Sequence, residues 1–318
     1  MYGQARYWIL STSMKVAIVG SSGVVGSALA VALTERGDDV VRLVRPQSTG
    51  DGIEWDPIAG TIDSGALEGL EAVVNLAGRS IGERRWTGSE KQQLWDSRVD
   101  STRLLAGALA TLEHQPAVLV NASAVGYYGD GGDAVLTEDA PAGKGFLAEL
   151  CVAWEAATTP ASEAGIRVVH LRSGIVLSAT GGALGRLLAP FGPRWISPFR
   201  WGLGGPVGGG RQWWSWISLR DEVRAILHVL DTEISGPVNL AAPSPVTNRD
   251  FTRALGRVLG RPTVVPMPGF ALRLLLGSEL AAALVLEGQR AAPALLLESG
   301  FEFEHSEIGA GLTAAFDG

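Results

Sequence analysis

The feature that most constrains the fold of this chain is a set of spaced glycines between an apolar strand and an apolar helix. Residues 16–19 are followed by Gly20, Gly23 and Gly26, and an apolar helical run continues over residues 27–33. In such a turn the first glycine permits a tight bend, the second leaves backbone N–H groups open to a diphosphate, and the third lets the helix pack on the strand. Because a helix N-terminus also attracts anions, the segment predicts a dinucleotide site. A glycine-rich turn without a ligand is the alternative.

Short apolar runs alternate with helical segments over the first half of the chain. This pattern is typical of a parallel sheet that helices cover on both faces. It predicts an α/β fold, a Rossmann-type doubly wound parallel sheet with a smaller interleaved C-terminal substrate lobe. The predicted strands are residues 15–19, 40–44, 53–55, 72–76, 117–122 and 167–171.

Three segments outside these strands have predicted structures of their own. One long helix is expected over residues 89–112, where Ser89 and Gln92 have the spacing of a capping box, and another over residues 146–164. The glycine-rich segment 202–210 does not follow a buried strand. It is therefore expected to be a flexible lid on the substrate side, with a second phosphate cradle as the alternative.

The chain is expected to divide into three parts. Residues 1–13 lack the basic start and long apolar centre of a signal peptide, and we interpret them as a disordered extension. Residues 14–175 are predicted to form the dinucleotide-binding domain, to which about 212–242 contribute later. Residues 176–318 form mainly the substrate lobe, including a helical region at about 262–318.

Composition excludes several function classes. A net charge of -7 argues against nucleic-acid binding, and no apolar run reaches the roughly 18 residues of a membrane helix, so neither partner is expected. The single cysteine, Cys151, excludes internal disulfides and agrees with a reducing cytoplasm. No metal is expected, because the four histidines are scattered without ligand spacing: His114, His170, His228 and His305.

The end of the second predicted strand favours NADP over NAD. A NAD-specific fold places an acidic residue there to bind the ribose hydroxyls, but residues 40–50 contain no acid. Arg42 and Arg45 lie at this strand end with Ser48 nearby, and a guanidinium suits a 2′-phosphate. NAD stays open as the alternative, in which Arg45 is a solvated charge at a strand end.

Ordered motifs along the chain resemble those of a known family. They are the glycine turn, Asn75-Leu76-Ala77-Gly78, Arg85-Trp86-Thr87, Asp96-Ser97-Arg98, residues 123–129, Trp154-Glu155, and residues 171–174, 210–217 and 300–303. From Met14 to the C-terminus the chain resembles the extended short-chain dehydrogenase/reductase superfamily. More closely, it resembles the NAD(P)-dependent epimerase/dehydratase-like epimerase family proteins of the YfcH-like group, with their C-terminal tail region.

The glycine turn and this resemblance together imply a set of cofactor-binding residues. The first seven of them form the phosphate cradle, Arg45 faces a 2′-phosphate, and the others follow two later strands. The set is Gly20, Ser21, Ser22, Gly23, Val24, Val25, Gly26, Arg45, Asn75, Leu76, Ala77, Gly78 and Ser123.

The chain departs from the superfamily in its catalytic residues. The resemblance implies catalysis by a Ser, a Tyr and a Lys four residues after the Tyr, supported by an Asn, and only Ser123 matches this set. None of the four tyrosines lies on the helix at 146–164, and Lys144 is the sole lysine near it. Arg98 stands where the supporting Asn would be. The usual Tyr/Lys proton transfer is therefore not expected here.

Three residues are candidates for catalysis. Ser123 occupies the superfamily serine position, and Tyr128 lies just past the same strand, within reach of it. Glu149 is expected one turn into the following helix, where partial burial would raise its pKa into a useful range. The alternatives are a packing role for Tyr128 and an exposed helix charge for Glu149. Cys151 is interpreted as a small buried residue rather than a nucleophile.

A substrate pocket is expected from five further residues. Arg98, Arg172 and Arg211 would bind an anionic group, and Trp213 would stack on a sugar or ring. Tyr127 lies just past the fifth predicted strand, at the cofactor-facing edge and within reach of Ser123. Each arginine has a structural role as its alternative, and Trp213 has core packing.

Two functions from different classes remain. The first is an NADP-dependent oxidoreductase or epimerase acting on an anionic small molecule such as a nucleotide sugar, as a monomer or homodimer. The second is a non-catalytic NADP(H)-binding sensor or scaffold, which the absent Tyr/Lys pair favours.

Overall fold

The fold is described from a computed structural model over residues 13–48, 50–188 and 199–317. Residues 1–12 of the predicted extension lie outside the described residues. The strands are β1 (Lys15–Val19), β2 (Asp39–Val44), β3 (Ile53–Asp56), β4 (Thr61–Ile62), β5 (Ala72–Asn75), β6 (Val118–Ala124), β7 (Val135–Leu136), β8 (Arg167–Ser173), β9 (Ile175–Leu177), β10 (Trp213–Trp214), β11 (Trp216–Ser218), β12 (Gly236–Leu240), β13 (Val246–Thr247) and β14 (Arg290–Ala291).

Eight of these strands form one sheet in the order β12-β8-β6-β5-β1-β2-β3-β4. Its pairings are parallel except for the antiparallel edge pair β3–β4. The chain turns from one half of the sheet to the other between β1 and β5, and ligands of such folds bind at the carboxyl ends of the strands beside this point. The predicted doubly wound parallel sheet is confirmed.

Helices connect these strands and build the C-terminal part. They are α1 (Val24–Arg36), α2 (Gly88–Trp95), α3 (Ser101–Ala110), α4 (Phe146–Ala156), α5 (Thr159–Glu163), α6 (Gly182–Leu188), α7 (Leu219–Asp231), α8 (Asn248–Leu259), α9 (Gly269–Leu276), α10 (Ser278–Ala281), α11 (Ala294–Glu298) and α12 (Ile308–Asp317). Within the described ranges, none of the helices combines the length and apolar character needed to cross a bilayer.

Both long predicted helices are interrupted. The first begins one residue earlier than expected, because the Thr87 side chain caps it by accepting the N–H of Glu90 at 3.2 Å. The predicted Ser89 cap is therefore wrong. A π-helical turn, Asp96–Asp100, separates α2 from α3. The second predicted helix ends at Ala156 and resumes as the short α5.

The core occupies both faces of the parallel sheet. Because successive side chains of a strand point to opposite faces, Val16 and Ile18 pack on one side and Ala17 and Val19 on the other. On the first side they join residues of α1 and α7, and on the second side residues of α3 and α5. A strand buried on both faces is apolar throughout, which accounts for the continuous apolar run of β1.

A second, smaller core lies in the C-terminal part of the chain. Trp214, Trp216, Phe251 and Leu312 belong to it, and the rings of Trp214 and Phe251 meet edge to face with centroids 5.0 Å apart. Between the segments that build this core, β12 returns to the main sheet and pairs with β8. The predicted smaller, interleaved C-terminal lobe is confirmed.

The glycine-rich segment 202–210 packs against the C-terminal region. The Val207 N–H donates to Oδ1 of Asn248 at 2.8 Å. A Cβ on Gly205 would lie 2.0 Å from the carbonyl oxygen of Val265. The segment predicted to be a flexible lid therefore has backbone hydrogen bonds to its neighbours, and its flexibility stays a prediction.

Gly26→Ala tests the close packing of α1. A Cβ there would lie 2.3 Å from the carbonyl oxygen of Gly20, whereas one on Gly107 of α3 would meet no atom within 4 Å. We expect Gly26→Ala to lower the free energy of unfolding by about 2 kcal/mol, since backbone must move. The control Gly107→Ala should raise it by about 0.5–1 kcal/mol through helix propensity. Urea unfolding followed by circular dichroism measures both, and equal shifts would refute the packing argument.

Candidate functional site

The glycine turn forms a cradle at the carboxyl end of β1. Gly20 has a φ of 81°, and a Cβ on it would lie 2.8 Å from the carbonyl oxygen of Leu76. Gly26 excludes a Cβ in the same way, against the Gly20 carbonyl. Both positions require glycine because backbone meets backbone there.

Gly23 is different, because the protein itself leaves space beside it. A Cβ at Gly23 would have one neighbour within 4 Å, the Gly20 carbonyl oxygen at 3.4 Å. Gly23 is exposed and is the N-cap residue of α1, a helix that has no side-chain cap and no acidic residue in its first turn. The N–H groups at this helix start are thus open to an anion, and the cradle fits the diphosphate of a dinucleotide.

A buried polar network holds the end of β5 beside this cradle. The Asn75 amide donates to Oδ1 of Asn121 at 2.7 Å and to Oγ1 of Thr102 at 3.0 Å, and its Oδ1 accepts the Ala77 N–H at 3.2 Å. The Trp154 indole also donates to Thr102 Oγ1, at 3.0 Å. The network fixes the segment that meets Gly20, so the predicted cofactor residues of β1 and β5 do lie together.

Two arginines lie at the carboxyl end of β2, the strand next to β1. Arg42 and Arg45 are both exposed, and the Arg45 carbonyl accepts the Ser48 N–H at 2.8 Å. β2 lies next to β1 on the side opposite β5, so these two residues are on the side of the glycine turn away from β5.

A hydroxyl, a carboxylate and a guanidinium meet at the ends of β6 and β8. The buried Ser123 donates from Oγ to Oε1 of Glu155 at 2.7 Å. Arg172, the register partner of Ser123 on β8, donates from Nε to Oε1 and from Nη2 to Oε2 of Glu155, both at 2.9 Å. Because an ionised carboxylate only accepts hydrogen bonds, the Ser123 proton points to Glu155.

Arg172 makes four hydrogen bonds to protein groups. Its Nη1 donates to the Tyr128 hydroxyl at 3.0 Å and to the Glu138 carbonyl at 3.1 Å, and its Cζ lies 3.5 Å from the Tyr127 ring centre. Burial opposes its charge, but the hydrogen bonds and charge of Glu155 outweigh burial and raise the pKa of Arg172. These contacts agree with the structural role given above as the alternative for Arg172.

Tyr128 is buried with its hydroxyl satisfied. The hydroxyl donates to Oδ1 of Asn239 at 2.7 Å and accepts from Arg172. Burial raises the pKa of Tyr128. The predicted acid/base Tyr128 thus has the surroundings of a packing tyrosine, while Tyr127 beside it is partly exposed.

Arg98 lies behind the β5 loop, inside the π-helical turn. It is buried, donates to the Arg79 carbonyl at 2.7 Å, and its Cζ is 5.1 Å from the Trp154 ring centre. Burial lowers the pKa of Arg98 to about 10 and raises that of the neighbouring Cys151 to about 12. Arg98 therefore stabilises the loop after β5 through its hydrogen bond to Arg79. Cys151 is a neutral buried thiol, which agrees with the interpretation from the sequence.

The other predicted site residues lie further out. Glu149 and Arg211 are exposed, so the partial burial expected for Glu149 is wrong. Glu149 falls on the outer face of α4, whereas Glu155 faces the sheet. The Trp213 indole donates to Oδ1 of Asp133 at 2.8 Å, and the Arg290 guanidinium lies 4.4 Å above its ring. These contacts tie Trp213 to the loop after Tyr128.

Sequence reasoning missed the polar partners that complete the Ser123 cluster. Glu155 appeared only within a family motif, although it lies one helical turn after Cys151 on the same face of α4. Glu138 had no signal in the sequence and Asn239 only a weak one, because β12 and the loop before α4 reach the site only in three dimensions. A polar residue inside the apolar run of β12 was the one clue to Asn239.

Neither metal-ligating side chains nor a surface depression indicates a second ligand site in the part of the chain that the structure describes. Over residues 13–48, 50–188 and 199–317, no three metal-ligating side chains form a group. A surface depression of about 420 Å³ lies at the amino ends of β5 and β6, the opposite edge from the cradle. Ligands of doubly wound sheets bind at the carboxyl ends.

Known proteins resemble this chain over nearly its whole length. Residues 16–241 match the model of the NAD dependent epimerase/dehydratase family, and residues 267–315 match a domain of unknown function, DUF1731. An epimerase family protein of Mycobacterium leprae is 48% identical over 302 residues, which are 94% of this chain and 95% of the relative.

Two solved structures are similar as well. The crystal structure of human epimerase family protein SDR39U1 with NADPH has 34% identity and a TM-score of 0.85, covering 96% of this chain and 99% of that one. A nucleoside-diphosphate sugar epimerase from Corynebacterium glutamicum has 37% identity and a TM-score of 0.75, covering 95% of this chain and 59% of that one.

The family model spans more than half of the chain, and the relative from Mycobacterium leprae is similar from end to end. The fold and the glycine cradle agree with both matches. The resemblance stated from the sequence motifs is confirmed, together with its C-terminal tail region. This chain therefore belongs to the NAD dependent epimerase/dehydratase family.

Proposed function

We propose that this protein binds NADP(H) at the carboxyl edge of its sheet and performs redox or epimerase chemistry on an anionic small molecule such as a nucleotide sugar. The observation that carries the proposal is the open helix start at Gly23, framed by backbone contacts at Gly20 and Gly26. Residues 14–175 with about 212–242 would form the cofactor-binding part, and residues 176–318 mainly the substrate lobe.

The cofactor would extend along the carboxyl ends of the strands. The cradle residues would hold its diphosphate: Gly20, Ser21, Ser22, Gly23, Val24, Val25 and Gly26. Arg45 would pair with the 2′-phosphate, and the β5 loop with Ser123 would flank the nicotinamide side. The NADPH in the structure of human SDR39U1 supports NADP over NAD.

The nicotinamide ring, when bound, would supply the hydride donor or acceptor. This chain would supply orientation and a proton path, and we place that path at Ser123. Tyr128 has no free hydrogen bond and Glu149 is exposed, so neither is retained in the proposed path.

The substrate would lie between Ser123 and the C-terminal lobe. Tyr127 is partly exposed beside Ser123, and Arg211 and Trp213 come from the lobe. Support for a nucleotide sugar comes from the Corynebacterium glutamicum relative, which is described as a nucleoside-diphosphate sugar epimerase. Arg98 and Arg172 are engaged within the protein and would act by holding the walls of the site.

A non-catalytic NADP(H) sensor is the second candidate. The observation that favours it is that α4 carries neither a tyrosine nor a lysine, and that its one cysteine, Cys151, is buried. Such a protein would bind the cofactor, and the affinity of the protein for a partner would depend on whether the bound cofactor is oxidised or reduced.

Arg45→Asp tests the cofactor assignment. Loss of a charge-assisted hydrogen bond, about 1.5–3 kcal/mol, predicts NADP binding weakened about 10- to 100-fold, with NAD binding little changed. Arg45→Lys keeps the positive charge and should therefore lose less NADP affinity than Arg45→Asp. Titration calorimetry with both nucleotides measures the affinities. Unchanged NADP affinity in Arg45→Asp would remove the 2′-phosphate assignment.

A turnover screen separates the enzyme from the sensor. Protein with NADPH or NADP is mixed with nucleotide sugars and with carbonyl and hydroxyl compounds. Nicotinamide absorbance measures net redox turnover, and chromatography of the sugars measures epimerisation, which leaves that absorbance unchanged. For any substrate found, Ser123→Ala should lower kcat at least about 100-fold, because a positioned proton-transfer group is lost. Ser162→Ala, on the exposed side of α5, should leave it unchanged. No turnover, together with a partner that binds one redox state alone, would establish the sensor instead.

A further inference from the structure

The protein fixes the polarity of the Ser123 hydroxyl, that is, whether this group donates or accepts a hydrogen bond toward a ligand. A serine has one hydrogen to donate, and that hydrogen lies between Ser123 Oγ and Glu155 Oε1, 2.7 Å apart. Glu155 is held by both Nε and Nη2 of Arg172, and the Arg172 side chain is 4% exposed. A carboxylate paired in this two-point geometry stays an acceptor, so Ser123 has only lone pairs left to offer a ligand.

The other groups around this pair do not change that polarity. Cys151 interacts with Ser123 and, with its pKa raised to about 12 by burial, is a neutral thiol. Its sulfur is only a weak donor and a weak acceptor, so it competes poorly with the Glu155 carboxylate for the Ser123 hydrogen. His170 Nδ1 lies 3.9 Å from Oε2 of Glu155, and burial lowers the pKa of His170. Its imidazole is therefore neutral near pH 7 and does not compete with Arg172 for the carboxylate.

We propose that Ser123 acts as a hydrogen-bond acceptor in this site, with Glu155 as the residue that positions its hydroxyl. The ligand group that it takes is then a hydroxyl, and the favoured substrate class is a secondary alcohol such as a sugar hydroxyl. A ketone has no hydrogen to donate and would place its oxygen lone pairs against those of Ser123. The inference rests on the proposed function in that the substrate lies against Ser123.

The proton movement implied for oxidation is balanced. The substrate O–H proton passes to Ser123 Oγ as the Ser123 proton passes to Glu155 Oε1. The electron pair of the substrate C–H bond leaves as hydride to oxidised nicotinamide nucleotide, and the C–O bond becomes C=O. Glu155 then returns its proton to solvent, and His170, whose side chain is 16% exposed, lies beside Oε2 with its Nδ1 3.9 Å away.

Neutron diffraction on deuterium-exchanged crystals of the full chain tests the polarity directly, with or without NADPH. We expect the deuteron to be bonded to Ser123 Oγ and to point toward Glu155 Oε1. Neither Glu155 oxygen should carry a deuteron. A deuteron that points from Ser123 into the cleft, or one bound to Glu155, would overturn the inference. If NADPH is absent from crystals grown with it, the proposed function fails while the polarity is still read from the same map.

A double variant shows whether Glu155 sets this polarity. Glu155→Met combined with Arg172→Met removes both charges, and replacing a buried ion pair with apolar residues is often tolerated by the fold. Circular dichroism confirms folding, and the Ser123 deuteron should leave its wild-type direction. If the deuteron keeps that direction, Glu155 does not position it. The control, Arg36→Met with Asp38→Leu, removes an ion pair at the opposite edge of the sheet and should leave Ser123 unchanged.

Kinetic coupling extends the test once the turnover screen has found a substrate. Ser123→Ala and the Glu155/Arg172 double variant should each lower kcat for alcohol oxidation about 100-fold, and their combination should lower it no further, because both act on one proton path. Losses that multiply would show that Glu155 acts independently of Ser123 and would contradict the positioning role.

Discussion

The contact of backbone with backbone at the glycine turn is the constraint on which this structure depends. Gly26 brings α1 onto the Gly20 carbonyl, and Gly20 in turn meets the loop after β5. No side chain fits between these segments, so the helix start and two strand ends meet at one edge. The Gly23 position above them stays open, and the same packing that closes the core therefore leaves a cradle for an anion.

A second device, the buried pair of Glu155 and Arg172, joins α4 to the sheet. Arg172 touches groups from β6, α4 and the segments after β6, so one guanidinium links the walls of the site. Removing one partner of such a pair typically costs about 3–5 kcal/mol, since a buried charge is left alone. The pair thus serves stability and, through the hydrogen bond of Glu155 to Ser123, also orients the hydroxyl at the end of β6.

Much of the fold was predictable because its signals are local. The apolar run of β1, the alternation of strands with helices and the glycine spacing each specify an element or its packing, and all were confirmed in the sheet. One error lies where a side-chain contact decides: Thr87 rather than Ser89 caps α2. The site was predicted less well, because Tyr128 and Arg172 were judged without knowledge of their partners.

The sequence by itself determined the parallel sheet, the position of the glycine turn and the absence of a Tyr/Lys pair on α4, because these follow from residue type and spacing along the chain. Only the tertiary structure decided which polar groups remain available to a ligand. Arg172, Glu155, Tyr128 and Asn239 come from distant segments, and their hydrogen bonds form only when β8, α4 and β12 meet. A side chain's hydrogen-bonding capacity is local, but whether it is already used is a property of the whole fold.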